Sequence, residues 1–201
     1  MIFSGRLVLI RHGQTEWSVS GQHTGHTDIP LTDQGRAEAE DAKGTLGSWD
    51  FSAVYSSPLR RAAETAEIVG LAPEIVHSEL LEEWDYGEIE GRTTEEFRRT
   101  VPDWSVWTHH QAAAETVDEV GGRVDRFFAE TLSTDVGDVG DVAVFAHGHL
   151  LAILIARWLD FPAIEGRRFK LQTATVSLVD YHRGDRVLRA LNHRCGQALH
   201  S

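Results

Sequence analysis

Short apolar runs alternate along this chain with stretches whose apolar residues recur at helical spacing, which predicts an α/β fold. Leu7-Val8-Leu9-Ile10 is apolar at consecutive positions, as in a strand buried on both faces. A long polar loop follows, through Pro30. Thr32 then suits the N-cap of a helix running to Gly44 or Gly47, with Ala37, Ala39 and Ala42 as helix formers. Ala53-Val54-Tyr55 is a second strand. Ser57 and Pro58 predict the cap and first position of a helix reaching Val69. Residues 74–77 are a third strand, 141–146 a clearly buried one, and 150–158 a mostly buried helix. Residues 116–132 read as a helix despite Gly121-Gly122, a pair unfavourable inside helices. Residues 175–181 and 186–191 alternate around Arg183-Gly184-Asp185, as a hairpin would. The Trp-rich stretch 82–115, which carries Pro102, fits no regular element and predicts a cap or flap over a site. The expectation is one domain over residues 1–201: a three-layer α/β sandwich whose largely parallel central sheet is flanked by helices.

Charge narrows the partners. With 19 Lys and Arg against 31 Asp and Glu, the formal net charge is −12. Such a chain binds polyanions poorly, which argues against nucleic acid and anionic membranes. The basic residues are 17 Arg and only two Lys, Lys43 and Lys170. Arginine is the better fork for phosphate, though a bias in base composition would produce the same excess. A single cysteine, Cys195, rules out an internal disulfide framework and fits a reducing compartment. The opening run Leu7 to Ile10 is too short for a signal-peptide core, and the longest apolar stretch, Leu150 to Leu159, is interrupted by Arg157 and far short of a bilayer span, so the expectation is a soluble cytoplasmic protein.

The chemistry gathers where predicted strands end. Arg11-His12-Gly13, Ser56-Ser57-Pro58-Leu59-Arg60-Arg61 and His147-Gly148-His149 each follow an apolar run abruptly. Ligands of open α/β sheets sit at the carboxyl ends of strands, so these segments can deliver Arg11, His12, Arg61 and His147 to one place. Two guanidinium groups and two imidazoles suit a compact, multiply charged anion, with phosphoryl the natural guest. Glycine beside each histidine would let backbone approach a ligand closely. Taken singly, each piece is more simply structural or solvated; repetition at three strand ends favours function. Within the acidic run, Glu82, Glu83 and Asp85 are equally eligible as an acid or base.

These residues carry a resemblance. Leu9-Ile10-Arg11-His12-Gly13-Gln14-Thr15-Glu16-Trp17 resembles the signature of the histidine phosphatase superfamily, the phosphoglycerate mutase-like family. Pro30-Leu31-Thr32 with Gly35, Ser56 to Ala62 with Glu64-Thr65-Ala66, Glu83 to Glu88 with Glu90-Gly91, and Ala146-His147-Gly148 continue it in order, over residues 7 to about 192. The resemblance implies a phosphoglycerate mutase-like fold and a metal-independent phosphatase needing no cofactor. It makes His12 the nucleophile, with Arg11, Arg61 and His147 gripping phosphoryl oxygens and Glu83 donating the proton. Flanking Arg11 and Arg61 would hold the His12 pKa down. Ser18 stands where many relatives have asparagine and can still donate to a phosphoryl oxygen. Thr24, Gly25, Tyr86 and His149 are the remaining expected substrate contacts.

Gln14 to Ser18, Gly21-Gln22, Thr24-Gly25, Thr27-Asp28, Glu83-Trp84 and Phe145 to His149 look nearest to the sedoheptulose-bisphosphatase branch, which implies sugar phosphates and a small phosphorylated metabolite as partner. A homo-oligomer is compatible with the sequence. The alternatives are a phosphoglycerate mutase and a non-catalytic binder of phosphorylated ligands. The cap lacks the paired arginine of the mutases; His109 or His110 would replace it only in part. Trp84, Tyr86, Trp104 and Trp107 either face a substrate or form a small core under the cap. The sets His147 with His149, His109 with His110, and His193, Cys195 and His200 have no recognised zinc spacing. The Asp135, Asp138, Asp141 series reads as a polar turn before a strand.

Overall fold

The computed structural model describes residues 5–71, 74–109, 113–132 and 140–194. His110, Asp135, Asp138, Cys195 and His200 lie outside them. Six strands form one sheet: β1 (Leu7–Arg11), β2 (Phe51–Ser56), β3 (Ile75–His77), β4 (Asp141–Ala146), β5 (Val176–His182) and β6 (Asp185–His193). Their order is β3-β2-β4-β1-β5-β6. The first four are mutually parallel, and the hairpin β5–β6 closes one edge antiparallel to β1.

Alternation along the strands splits the core into two layers. Leu7 and Leu9, with Val142 and Val144, pack against helices α5 (Val117–Thr131) and α6 (Gly148–Trp158). Val8 and Ile10, with Ala143 and Phe145, face α2 (Asp33–Leu46) and α3 (Arg60–Val69) on the other side. Helix, sheet and helix make the three layers. Gly121 in α5 has a packing reason, since a Cβ there would lie 2.8 Å from the Cβ of Ala163 in the 3-10 turn Ala163–Arg168.

Three local expectations change. The loop after β1 contains a short helix α1 (Glu16–Ser20). Thr15 and Ser18 cap each other's backbone N–H, and because no residue of this helix is buried, hydrophobic periodicity gives no sign of it. The helix after β2 starts at Arg60 with Leu59 as its cap, not at Pro58. Ser57 is still bonded to the sheet, its N–H donating to the Phe145 carbonyl at 2.9 Å. Finally, Gly13 is needed less for a ligand than for protein: Gly13 and Gly35 lie so close that a Cβ on either would strike the other segment's backbone. In the cap, a further short helix α4 (Thr94–Arg98) follows the capping box of Thr93 and Glu96.

Candidate active site

Register brings the chemistry together. Arg11 lies opposite Ala146 and Ser56 opposite Phe145, so β1, β2 and β4 end level with one another. The His12 N–H donates to the Ala146 carbonyl at 3.0 Å, which extends the pairing by one residue and sets His12 beside His147. Their ring centroids are 5.2 Å apart.

His12 is 4% exposed and lines a cavity of about 510 Å³. Its Nδ1 lies 2.7 Å from the Gly13 carbonyl oxygen. A carbonyl only accepts, so Nδ1 carries the hydrogen and Nε2 keeps its lone pair. Burial pushes the His12 pKa well below 6.5, and Arg61 and Arg11 push it further down. Desolvation thus outweighs the arginine effect expected from sequence, although both act in that direction. The Gly13 N–H is held in turn by Thr65, whose hydroxyl donates to the Arg61 carbonyl at 2.7 Å.

Arg61 and His147 are fully buried behind His12 and do not line the cavity. Nε of Arg61 donates to Nδ1 of His147 at 3.1 Å, so His147 carries its hydrogen on Nε2 and donates to the Ser57 hydroxyl at 2.8 Å. The other Arg61 nitrogens donate to the carbonyls of Thr24, Gly25 and Thr27. That loop is fixed from its far side by Glu90, which accepts from the N–H groups of His26 and Thr27 and from the Thr27 hydroxyl. Arg11, by contrast, lines the cavity. It donates to the Leu171 carbonyl at 2.6 Å, while its buried Nε has no hydrogen-bond partner among the described residues. Gly148 leaves room for it, since a Cβ there would sit 3.3 Å from the guanidinium carbon.

Geometry separates the three acids that sequence left equal. Glu83 is buried, lines the cavity, and rests on the first turn of α6. Oε1 accepts from the N–H groups of Trp84 and Leu150, and Oε2 from that of His149 at 3.0 Å. Oε2 is therefore the oxygen with a lone pair to spare. Glu82 instead faces His26 at 3.5 Å, and Asp85 caps the Gly87 N–H. Arg123 of α5 anchors the Glu83 segment by donating to the carbonyls of Leu80, Glu82 and Glu83 while pairing with Glu115.

Of the expected substrate contacts, Ser18, Thr24, Tyr86 and His149 line the cavity and Gly25 does not. Gly25 is a close-packing position; a Cβ there would meet the Glu90 carboxylate and the Trp84 carbonyl. The Ser18 hydroxyl hydrogen is engaged by the Thr15 carbonyl at 2.8 Å. Tyr86 is paired with Nδ1 of His149 at 2.5 Å, and burial, aided by Glu83, raises its pKa well above 10. Trp84, Tyr86 and Trp104 belong to the core and Trp107 packs against it, and of the four Tyr86 and Trp107 also line the cavity, so both expected roles are present. Nδ1 of His109 accepts from the Ser105 N–H inside the cap, and His109 is not among the cavity residues. Among the described residues no three His, Cys, Asp or Glu side chains are placed to hold a metal ion.

Sequence reasoning passed over His23. It lines the cavity among Tyr86, Trp104 and His149, and no motif marks it. Burial, then His149, lowers its pKa to about 4 from 6.5. The unfolded chain therefore takes up this proton first, so the stabilisation is whole above pH 6.5 and is lost as pH falls toward 4. The linkage is on the order of 3 kcal/mol across that window and about 2 kcal/mol between pH 7 and pH 5. Urea midpoints at the two pH values should separate less in His23→Gln than in the parent; equal separation would contradict this.

An unprotonated imidazole nitrogen beside a guanidinium, with a carboxylate on a helix N-terminus across the cavity, is equipment for moving a phosphoryl group. Comparison with known proteins agrees. Residues 7–194 match the model of the histidine phosphatase superfamily (branch 1). The chain belongs to that superfamily and is a hydrolase of the histidine phosphatase type. It is similar to an acid phosphatase of Mycobacterium tuberculosis, 43% identical over 92% of this chain and 91% of the relative. It is also similar to the sedoheptulose 1,7-bisphosphatase of Saccharomyces cerevisiae, 32% identical over 76% of this chain and 67% of that protein. A solved structure of an open reading frame product from Mycobacterium tuberculosis superposes with a TM-score of 0.87 at 41% identity, covering 94% of this chain and 98% of the other. No helix among the described residues is long and apolar enough to cross a membrane.

Proposed function

We propose that this phosphatase hydrolyses small phosphomonoesters, sugar phosphates among them, without a metal and through a phosphohistidine on His12. The observation that carries this is the tautomer of His12: with Nδ1–H committed to Gly13, Nε2 is a neutral nucleophile in the cavity beside Arg11. Nε2 attacks phosphorus, the bond from phosphorus to the ester oxygen breaks, and the leaving alkoxide takes a proton from Glu83. Water then attacks the phosphohistidine while Glu83 takes its proton, which frees inorganic phosphate and restores both side chains.

Arg11, whose side chain lines the cavity, contacts a phosphoryl oxygen through its guanidinium. His147 joins by turning its Nε2–H from Ser57 to the phosphoryl group, and Arg61 sets the tautomer that makes this donor available. Ser18, Thr24, Tyr86 and His149 surround the leaving group. The similarity to an acid phosphatase and to a sugar bisphosphatase supports hydrolysis as the outcome. So do the described residues of the stretch 82–115 that line the cavity, Glu83, Tyr86, Thr94 and Trp107, none of which is basic. With 3-phosphoglycerate and a bisphosphoglycerate primer, in EDTA, the expected product is inorganic phosphate. Rapid formation of 2-phosphoglycerate, or activity lost to EDTA and restored by a divalent cation, would overturn the proposal.

A further inference from the structure

The cavity wall carries two basic side chains that the chemistry at His12 does not use. Arg167, at the end of the 3-10 turn Ala163–Arg168, and Lys170, three residues on, both line the cavity. We propose that they form a second anion subsite, which selects phosphomonoesters whose alcohol portion bears a further carboxylate or phosphoryl group. This rests on the phosphatase function argued above and adds the class of substrate.

Charge is the first support. Among the described cavity-lining residues the basic side chains besides histidine are Arg11, Arg167 and Lys170, and the one acidic side chain is Glu83. His23, His12 and His149 all have lowered pKa values and add no positive charge there. With Glu83 holding the proton it donates, the three positive charges of Arg11, Arg167 and Lys170 exceed the two negative charges of a phosphoryl dianion, which leaves one positive charge for a further anion. Their existing partners are weak. The Arg167 guanidinium is 44% exposed and reaches one Glu165 oxygen at 3.3 Å, while Arg168 holds the other closely. The Lys170 ammonium has no ion pair or hydrogen bond among the described residues.

The second support is that the backbone under Lys170 is built. Asn192, at φ 57°, donates through Nδ2 to the Lys170 carbonyl at 2.6 Å and accepts through Oδ1 from the Gln172 N–H at 2.7 Å. The hydroxyl of Thr175 donates to the same Oδ1 at 3.0 Å. Asn tolerates that left-handed conformation, and its amide fastens both ends of the strap 170–172. Arg11 fastens the middle through the Leu171 carbonyl. One strap therefore ties the phosphoryl-binding arginine to Lys170 and fixes the spacing between the two charge sites.

The test compares kcat/KM for phosphate release within two matched pairs: 3-phosphoglycerate against glycerol 3-phosphate, and fructose 1,6-bisphosphate against fructose 6-phosphate. The first pair reads a carboxylate and the second a phosphoryl group. The parent enzyme should prefer the doubly anionic member of at least one pair by about tenfold, and the preference should shrink as salt screens it. Lys170→Met and Arg167→Met should each cut the preference several-fold, Lys170→Arg should restore it, and Arg183→Met in the β5–β6 turn should leave it alone. A general structural defect would lower both members together and leave the ratio and its salt dependence intact. Hydrolysis of p-nitrophenyl phosphate separates the two ways of failing. Enzyme that cleaves it yet treats both pairs alike overturns the subsite and leaves the phosphatase mechanism standing. Enzyme that cleaves no compound overturns that mechanism and the subsite with it.

Discussion

His12→Ala is expected to lower kcat/KM for p-nitrophenyl phosphate by about 10⁴-fold or more, with the fold intact. The loss is large because no neighbour can substitute. His147 has its Nδ1 lone pair occupied by Arg61 and is buried behind His12. His149 has Nδ1 paired with Tyr86. Removing a nucleophile from a site that acts as a unit costs factors of this order. Truncation of a largely buried ring leaves a small cavity, and circular dichroism would check that the protein still folds. Parent-like turnover by the variant would remove His12 from the chemistry.

Glu83→Gln is expected to divide substrates by leaving group. An alkoxide needs a proton as it departs, whereas nitrophenolate leaves without one. Values of kcat/KM for an alkyl phosphate should fall by about 10²- to 10⁴-fold, and those for p-nitrophenyl phosphate by about tenfold or less. The parameter isolates the first transfer, because dephosphorylation of the enzyme enters kcat and not kcat/KM. The amide keeps one acceptor oxygen, enough for the Trp84 and Leu150 N–H groups, and loses the bond from the His149 N–H; both substrates meet that same loss, so the difference between them reads the proton. Equal losses on both substrates would give Glu83 a structural role only.

Much of this was legible because burial and chemistry leave separate marks on a sequence. A strand buried on both faces is an unbroken apolar run, so β1 and β4 stood out, and the polar residues ending each run marked the site. What stayed hidden depended on contacts between distant segments. Helix α1 is framed by the reciprocal cap of Thr15 and Ser18 and has no buried residue, so periodicity was silent. Arg61 could be assigned to the site from its strand-end position, but the Thr24, Gly25 and Thr27 carbonyls that hold it could not. The family resemblance singled out Glu83 where composition left it level with Glu82 and Asp85, but its contact with the first turn of α6, which joins distant segments, could not be read. His23, Arg167 and Lys170 are isolated polar residues by sequence and acquire meaning only as walls of one cavity.

The most direct measurement is a rapid-quench experiment with enzyme in excess over a ³²P-labelled phosphomonoester, followed by peptide mapping under alkaline conditions that preserve phosphohistidine. Label is expected on the peptide containing His12, appearing before inorganic phosphate and absent from His12→Ala. Phosphate released at the full rate with no labelled enzyme, or label confined to a peptide containing His147 or His149, would contradict it.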